Sequence, residues 1–179
     1  MNVKPTLRCP VKALSELAAR YSYGRDDGEL VGFQDGIQDR GYMHLNELLT
    51  LARWKAPRSA GRVKANSAEY VEEITQLAFS TKTERARIEL LTLLSGVGWP
   101  TASVILHFYH PEPYPIIDFR ALWTLNMSVR HAYDYPTWKT YVDMCRELSK
   151  ESGLSMRTLD RALWQYSKEN QKSHKPKFV

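Results

Sequence analysis

Asp118 closes an unusual run, His110-Pro-Glu-Pro-Tyr-Pro-Ile-Ile-Asp118. Pro111, Pro113 and Pro115 forbid helix and force an extended passage. Ile116 and Ile117 then have the character of a buried pair, and Asp118 stands at the head of a helix expected over residues 119–127. A carboxylate placed there has two uses. It can cap its own helix by accepting a backbone N–H, the commonest role of aspartate at such a position. It can also orient or deprotonate an attacking water. The residues by themselves leave both open.

The second informative segment is Leu93-Leu-Ser-Gly-Val-Gly-Trp-Pro-Thr-Ala-Ser-Val-Ile-Leu106. One helix runs into Gly96-Val97-Gly98 and another starts near Pro100, carrying Ala102, Ile105 and Phe108 on one stripe. Two glycines around one small apolar residue let the backbone turn tightly, while Val97 can plug the space between the helices. Pro100 suits a first helical turn, where its missing N–H costs nothing. The free N–H groups and positive dipole end of the second helix suit a phosphate oxygen. Gly96 and Gly98, lacking side chains, would let a nucleic-acid backbone come close. An ordinary αα-hairpin with a glycine C-cap would show the same two glycines.

The two segments together resemble the signature of the HhH-GPD superfamily of base-excision DNA glycosylases. That signature is a Leu-Pro-Gly-Val-Gly hairpin, a helix rich in small residues, a proline-containing loop and a catalytic aspartate. Here Ser95 replaces the usual proline, and the likeness spans residues 84–127. It implies a compact all-α bundle of two packed subdomains around a helix-hairpin-helix. It also implies duplex DNA as partner, with a base flipped out of the stack beside Asp118. Asp118 would stabilise the oxocarbenium-like transition state of N-glycosidic cleavage. Ser95, Gly96, Val97, Gly98, Trp99 and Thr101 are the residues expected to meet DNA. A monovalent cation held by hairpin carbonyls is known in the family, and no other cofactor is expected.

Some members carry a lysine just after the hairpin that forms a Schiff base with the sugar. That position is Pro100 here, and no lysine lies between Lys82 and Lys139. Hydrolysis by water, without strand cleavage, is the reaction implied. The alternative is a non-catalytic DNA-binding protein on the same scaffold. The chain also has Arg120 where the family commonly has His or Asn, and Trp123 where it often has arginine. Arg120 can hold the Asp118 carboxylate ionised or lock it into a structural salt bridge.

Bases are read by stacking and hydrogen bonds. Trp54, Lys55 and Arg58, in a cationic stretch that ends at Arg62 and reads as a loop, join Arg120 as candidate base-pocket residues. Trp54 is equally readable as the last core residue of its helix. His107 reads as a core or interfacial residue. Arg85 and Arg87 precede the hairpin and can meet phosphate, whereas the run 157–161 reads as a solvated helix face.

Helical periodicity supplies the frame. Short helices are expected after Pro10 and from Leu45 to before Pro57. Residues 22–42, with five glycines, read as a connecting stretch with at most one short element. A capping-box pattern, Asn66-Ser-Ala-Glu69, opens the next helix. Residues 83–94 form another, apolar nearly all round near its end and so deeply buried. Thr137 and Ser155 are read as caps of the last two helices, with Gly153 between them. One domain over residues 1–167 is expected, followed by a basic, loose tail over 168–179.

Bulk properties narrow the class. A net charge of +5 permits a nucleic-acid partner without requiring one. Cys9 and Cys145 are too few for a disulfide framework or a cysteine-ligated iron–sulfur cluster. No apolar run reaches the ~20 residues of a membrane span, and the first residues lack a signal-peptide core. A monomer in a reducing cytoplasm, associated with the nucleoid, is the expectation.

Overall fold

The computed structural model describes residues 5–23, 26–127 and 132–172. Among them the regular elements are all helical and no strand occurs, so the fold is all-α. A 3-10 turn, Val11–Ala13, leads into α1 (Leu14–Ala19). Then follow α2 (Gly28–Gly32), α3 (Gln34–Arg40), α4 (Leu45–Lys55), α5 (Pro57–Val63) and α6 (Ala68–Ser80). The rest are α7 (Glu84–Leu91), α8 (Trp99–Tyr109), α9 (Phe119–Thr124), α10 (Tyr135–Ser152) and α11 (Met156–Asn170). No helix among the described residues is long and apolar enough to cross a membrane.

The chain divides into two compact units. A hairpin unit comprises Gly24–Pro113, and a terminal unit joins Met1–Tyr23 to Tyr114–Val179. The division falls inside the proline-rich run. The hairpin and Asp118, the two halves of the sequence signature, therefore belong to different units.

In the hairpin unit α8 is the central helix, and α3, α4 and α7 pack on it. Residues 101–106 of α8 are all buried, which the run Thr-Ala-Ser-Val-Ile-Leu permits because its polar members are small. The Ser103 hydroxyl turns back to the Pro100 carbonyl at 2.8 Å, so it enters the core satisfied. Leu48, Leu51 and Ala52 of α4 and Ile88 and Leu91 of α7 supply further core, each large side chain contributing about 1.5–3 kcal/mol.

In the terminal unit α11 packs against α1, α9 and α10. The Thr124 hydroxyl donates to the Leu163 carbonyl at 2.8 Å, joining α9 to α11. Thr6 and Arg8 N–H donate to the carbonyls of Leu125 and Thr124, so the N-terminal segment lies along the end of α9.

Several elements differ from expectation. The stretch over residues 22–42 holds two helices, α2 and α3, the latter ended by Gly41 in the left-handed region. The cationic stretch after Lys55 is the helix α5, for which Pro57 provides a favourable first turn. Ser67, not Asn66, caps α6. Asp134 rather than Thr137 caps α10, its carboxylate accepting the Thr137 N–H. α7 stops at Leu91 because Thr92, Leu93 and Leu94 tighten into i→i−3 turns before Gly96. Its inward face is Arg87, Ile88 and Leu91, and Leu93, expected inside, is 57% exposed. α9 ends at Thr124, where Asn126 at φ 54° turns the chain away. The proposed tail begins as helix: residues 168–170 belong to α11, and Lys168 donates to the Ser22 carbonyl and hydroxyl. Gln171 caps the helix, and residues 173–179 of that tail lie outside the described residues. Ser155 and Gly153 serve as expected.

Candidate nucleic-acid interface and carboxylate

The hairpin tip is fixed by its own unit. Gly96 has φ +82°, a conformation costly for any residue with a Cβ. A Cβ there would stand 2.9 Å from both Val63 Cγ2 and the Val63 backbone N, and 3.1 Å from the Ser59 carbonyl. The space that glycine vacates is thus filled by α5. Beside it, Asn66 brackets the backbone of Ser95: the Ser95 N–H donates to Asn66 Oδ1 at 2.9 Å, and Asn66 Nδ2 donates to the Ser95 carbonyl at 3.0 Å. The same Nδ2 donates to the Val63 carbonyl at 2.8 Å. Val97 N–H closes the turn onto the Leu94 carbonyl, and the Val97 side chain is buried.

Only one of the two glycines therefore offers bare backbone outward. Gly98 is exposed, and a Cβ there would meet nothing nearer than Pro100 Cδ at 3.9 Å. It is the N-cap of α8, with Pro100 in the first turn. Ser95 is exposed beside it. Thr101 is only 3% exposed, so its side chain serves the core rather than a surface. Trp99 is half-buried. Of the six residues assigned to DNA contact, Ser95 and Gly98 are exposed, Gly96 and Trp99 half-buried, and Val97 and Thr101 buried.

Of the base-pocket candidates, Trp54, Lys55 and Arg58 fall in the hairpin unit. The Trp54 indole N–H donates to the Asp26 carbonyl at 3.0 Å, and its ring stands edge-on to buried Phe108 at 5.9 Å. Trp54 is thus the packing residue at the end of α4, the bland alternative of the sequence reading. Lys55 is the last residue of α4, and Arg58 is exposed on the first turn of α5. Arg87 is buried, donating to the Thr81 carbonyl at 2.9 Å and pairing with Glu112 at 3.2 Å, so it stitches α7 to the proline run and is withdrawn from phosphate. Arg85 is exposed and pairs with Glu89. His107 is half-buried, its ring edge-on to Phe108.

The proline run is anchored at both ends. In the hairpin unit His110 Nδ1 accepts the Glu112 N–H at 3.0 Å, which puts the ring proton of neutral His110 on Nε2. In the terminal unit Tyr114 is buried and stacked on Trp138 at 5.5 Å. The Tyr141 hydroxyl donates to the Ile116 carbonyl at 2.9 Å. With Ile116 and Ile117 buried, the backbone that delivers Asp118 is rigidly held.

Asp118 is half-buried and caps α9, its Oδ1 accepting the Ala121 N–H at 2.8 Å. Tyr133 lies close enough for the charges to couple. Burial first, and then the Asp118 carboxylate, push the Tyr133 phenol above its ordinary range. Tyr141, fully buried, is likewise held neutral, with Asp118 a smaller contributor. Two neutral phenols thus flank the region of one carboxylate.

Arg120 forms no ion pair with Asp118 among the described residues. Its guanidinium carbon sits 5.1 Å from the Trp164 ring centre and 5.2 Å from that of Phe119, and its Nη1 is buried without a hydrogen-bond partner. Arg120 is not locked into a salt bridge with the carboxylate; it faces rings instead.

Asn66, Tyr133 and Trp164 escaped the sequence reading. Asn66 and Tyr133 act across long sequence separations and leave no local signature. Trp164 had one: Arg157, Arg161, Trp164 and Lys168 recur at spacings that put all four on one face of a helix. The run 157–161 is no solvated face, since Arg157 pairs with Asp160 at 2.6 Å and both Arg157 and Arg161 lie over Tyr21.

Comparison of the chain with protein families, curated proteins and solved structures returned no match.

Proposed function

We propose that the protein binds duplex DNA through the α7–α8 hairpin and hydrolyses the N-glycosidic bond of a damaged or modified base with Asp118, leaving an unbroken strand. One observation carries the DNA half of this reading. Exposed Gly98 caps α8 while Gly96, locked against α5, holds the turn that presents it. The helix dipole and the first-turn N–H groups there favour an anion. The hydrolytic half rests on the resemblance of residues 110–118 to the glycosylase signature and on the rigid delivery of Asp118. A carboxylate so placed stabilises positive charge developing on the sugar and orients a water. With Pro100 at the position of the Schiff-base lysine, water is the nucleophile.

The carbonyls of Leu94, Ser95 and Gly98 already accept hydrogen bonds from Val97, Asn66 and Ala102. Protein donors hold the turn, so a monovalent cation shared by these oxygens would add to a formed hairpin. No group of three or more His, Cys, Asp or Glu among the described residues is arranged to hold a metal ion.

The cap bond from Ala121 favours a second reading, in which Asp118 is structural and the protein binds DNA without cleaving it. Asp118→Asn separates the two, because asparagine caps as well as aspartate but cannot supply the charge. Duplexes carrying a panel of oxidised, alkylated, deaminated and mismatched bases would be incubated with each protein and scored for alkali-labile sites. Base release by the unaltered protein that collapses in the variant, at similar duplex affinity, supports hydrolysis. Binding without release from any duplex establishes the second reading. A covalent adduct trapped by borohydride would contradict the water mechanism.

A further inference from the structure

Two stretches of the chain hold no carboxylate, and the fold brings them together. One spans residues 48–68, between Glu47 and Glu69, and carries Arg53, Lys55, Arg58, Arg62 and Lys64. The other spans residues 90–111, between Glu89 and Glu112, and contains the hairpin. They meet at Gly96, where Ser59 and Val63 of α5 fill the space a side chain would take, and at Asn66, which clasps Ser95. All of these residues belong to the hairpin unit, so α5 is fixed against the hairpin tip.

Within α5 the residues fall on definite faces. Ser59 and Val63, four residues apart, form the stripe that meets Gly96. Arg58 and Arg62 each precede one of them, so they form the neighbouring stripe, about 100° round the helix and about 6 Å apart along it. Both arginines are exposed, and their side chains make no hydrogen bond or ion pair among the described residues. The acids that bound the stretch do not answer them. Glu47 lies on α4, against which α5 packs, and is buried and paired with Arg40. Glu69, on α6, forms no ion pair among the described residues.

The rest of the exposed surface of α5 is Pro57 and Gly61, so no large apolar side chain is offered to a lipid surface. Two residues past the contact with α5, exposed Gly98 caps α8, whose first-turn N–H groups suit a phosphate oxygen. A row of unpaired arginines beside such a helix start matches a partner that repeats its phosphates along a line, a nucleic-acid strand.

We infer that Arg58 and Arg62 bind phosphates of the same duplex that the hairpin grips, so that α5 is a second arm of the interface and Arg58 does not read the base. The inference rests on the duplex-binding reading and extends it from one helix start to two elements. An arginine in this role fixes the position of the duplex and carries no sequence information.

The full chain would be titrated into short fluorescein-labelled duplexes, one unmodified and the others from the modified-base panel, with anisotropy read over a range of salt. Arg58→Gln, Arg62→Gln and the double variant are compared with Lys82→Gln. Lys82 is an exposed cation of the same unit at the start of α7, the end away from the hairpin. Glutamine keeps the helix propensity of arginine, so circular dichroism melts should be unchanged. Each single arginine variant should lower the slope of log affinity against log salt by about 0.9, and the double by about 1.8, equally on every duplex. Lys82→Gln should leave the slope as it is. If the unaltered protein binds no duplex, the duplex-binding reading fails and this inference with it. Duplex bound with an unchanged slope in the double variant overturns this inference and leaves the hairpin reading standing, as does an equal fall in Lys82→Gln. A loss confined to duplexes with a modified base would make Arg58 a base reader and overturn it too. Polyglutamate bound as tightly as duplex, with the same sensitivity to the arginine variants, would assign α5 to an acidic protein instead.

Discussion

Replacing Gly96 by alanine puts a methyl group where α5 already is. Two costs add. At φ +82° an L-residue crowds its own carbonyl, about 1–2 kcal/mol. The new Cβ would also stand 2.9 Å from the Val63 backbone N and 3.1 Å from the Ser59 carbonyl, atoms that yield only if α5 moves. Such overpacking costs about 1–3 kcal/mol, for a total of about 2–5 kcal/mol. Gly98→Ala is the internal control. Its backbone is extended and its surroundings open, so only the poorer N-cap propensity of alanine counts, about 1 kcal/mol or less. Both would be measured by urea denaturation followed by circular dichroism. For a chain of this size the Gly96 variant should melt about 4 °C or more below the parent. Duplex affinity should separate the two in the opposite sense per unit of stability, since alanine at Gly98 adds bulk where a phosphate would approach. A Gly96→Ala protein as stable as Gly98→Ala would refute the packing of the hairpin tip against α5.

Asn66→Ala should destabilise by about 1–2 kcal/mol in the same denaturation experiment, because it removes the partner of the part-buried N–H and carbonyl of Ser95 together. Asp118→Ala should lose about 1 kcal/mol of cap energy that Asp118→Asn retains, so equal losses in thermal melts would mean the cap bond is not formed. Burial raises the thiols of both Cys9 and Cys145, the latter strongly. Neither should be alkylated by iodoacetamide at pH 8 in the native protein, and mass spectrometry showing rapid labelling of Cys145 would contradict its place in the core. The Tyr21 phenol is pushed up to about 12 by burial. A raised folded value means stability is intact below pH ~10 and falls as pH rises from there through 12, with Tyr133 and Tyr141 adding to the same loss. Melting temperatures across that window, with tyrosinate absorbance alongside, check the sign.

How far the sequence determines this protein differs from one level to the next. Helical periodicity, Gly153 and Ser155 specify all-α architecture because they act within a few residues, where φ preference and capping decide. The Gly-Val-Gly-Trp-Pro spacing likewise specifies a hairpin. The glycine-dotted stretch 22–42 and the segment after Lys55 read as loop because local propensity disfavours glycine in helices, and tertiary burial of Leu30, Ile37, Ala60 and Val63 overrides it. At the candidate site, residue type marked Asp118, its capping position and the absence of a lysine. Only the fold decided what surrounds them. Gly96 serves α5 rather than a ligand, Asn66 reaches from the turn between α5 and α6 to clasp Ser95, and Arg120 turns from the carboxylate two residues away to a tryptophan forty-four residues on. Each of these is a choice between partners distant in sequence, made by which surfaces packing brings within a few ångströms, and no local pattern of residues encodes it.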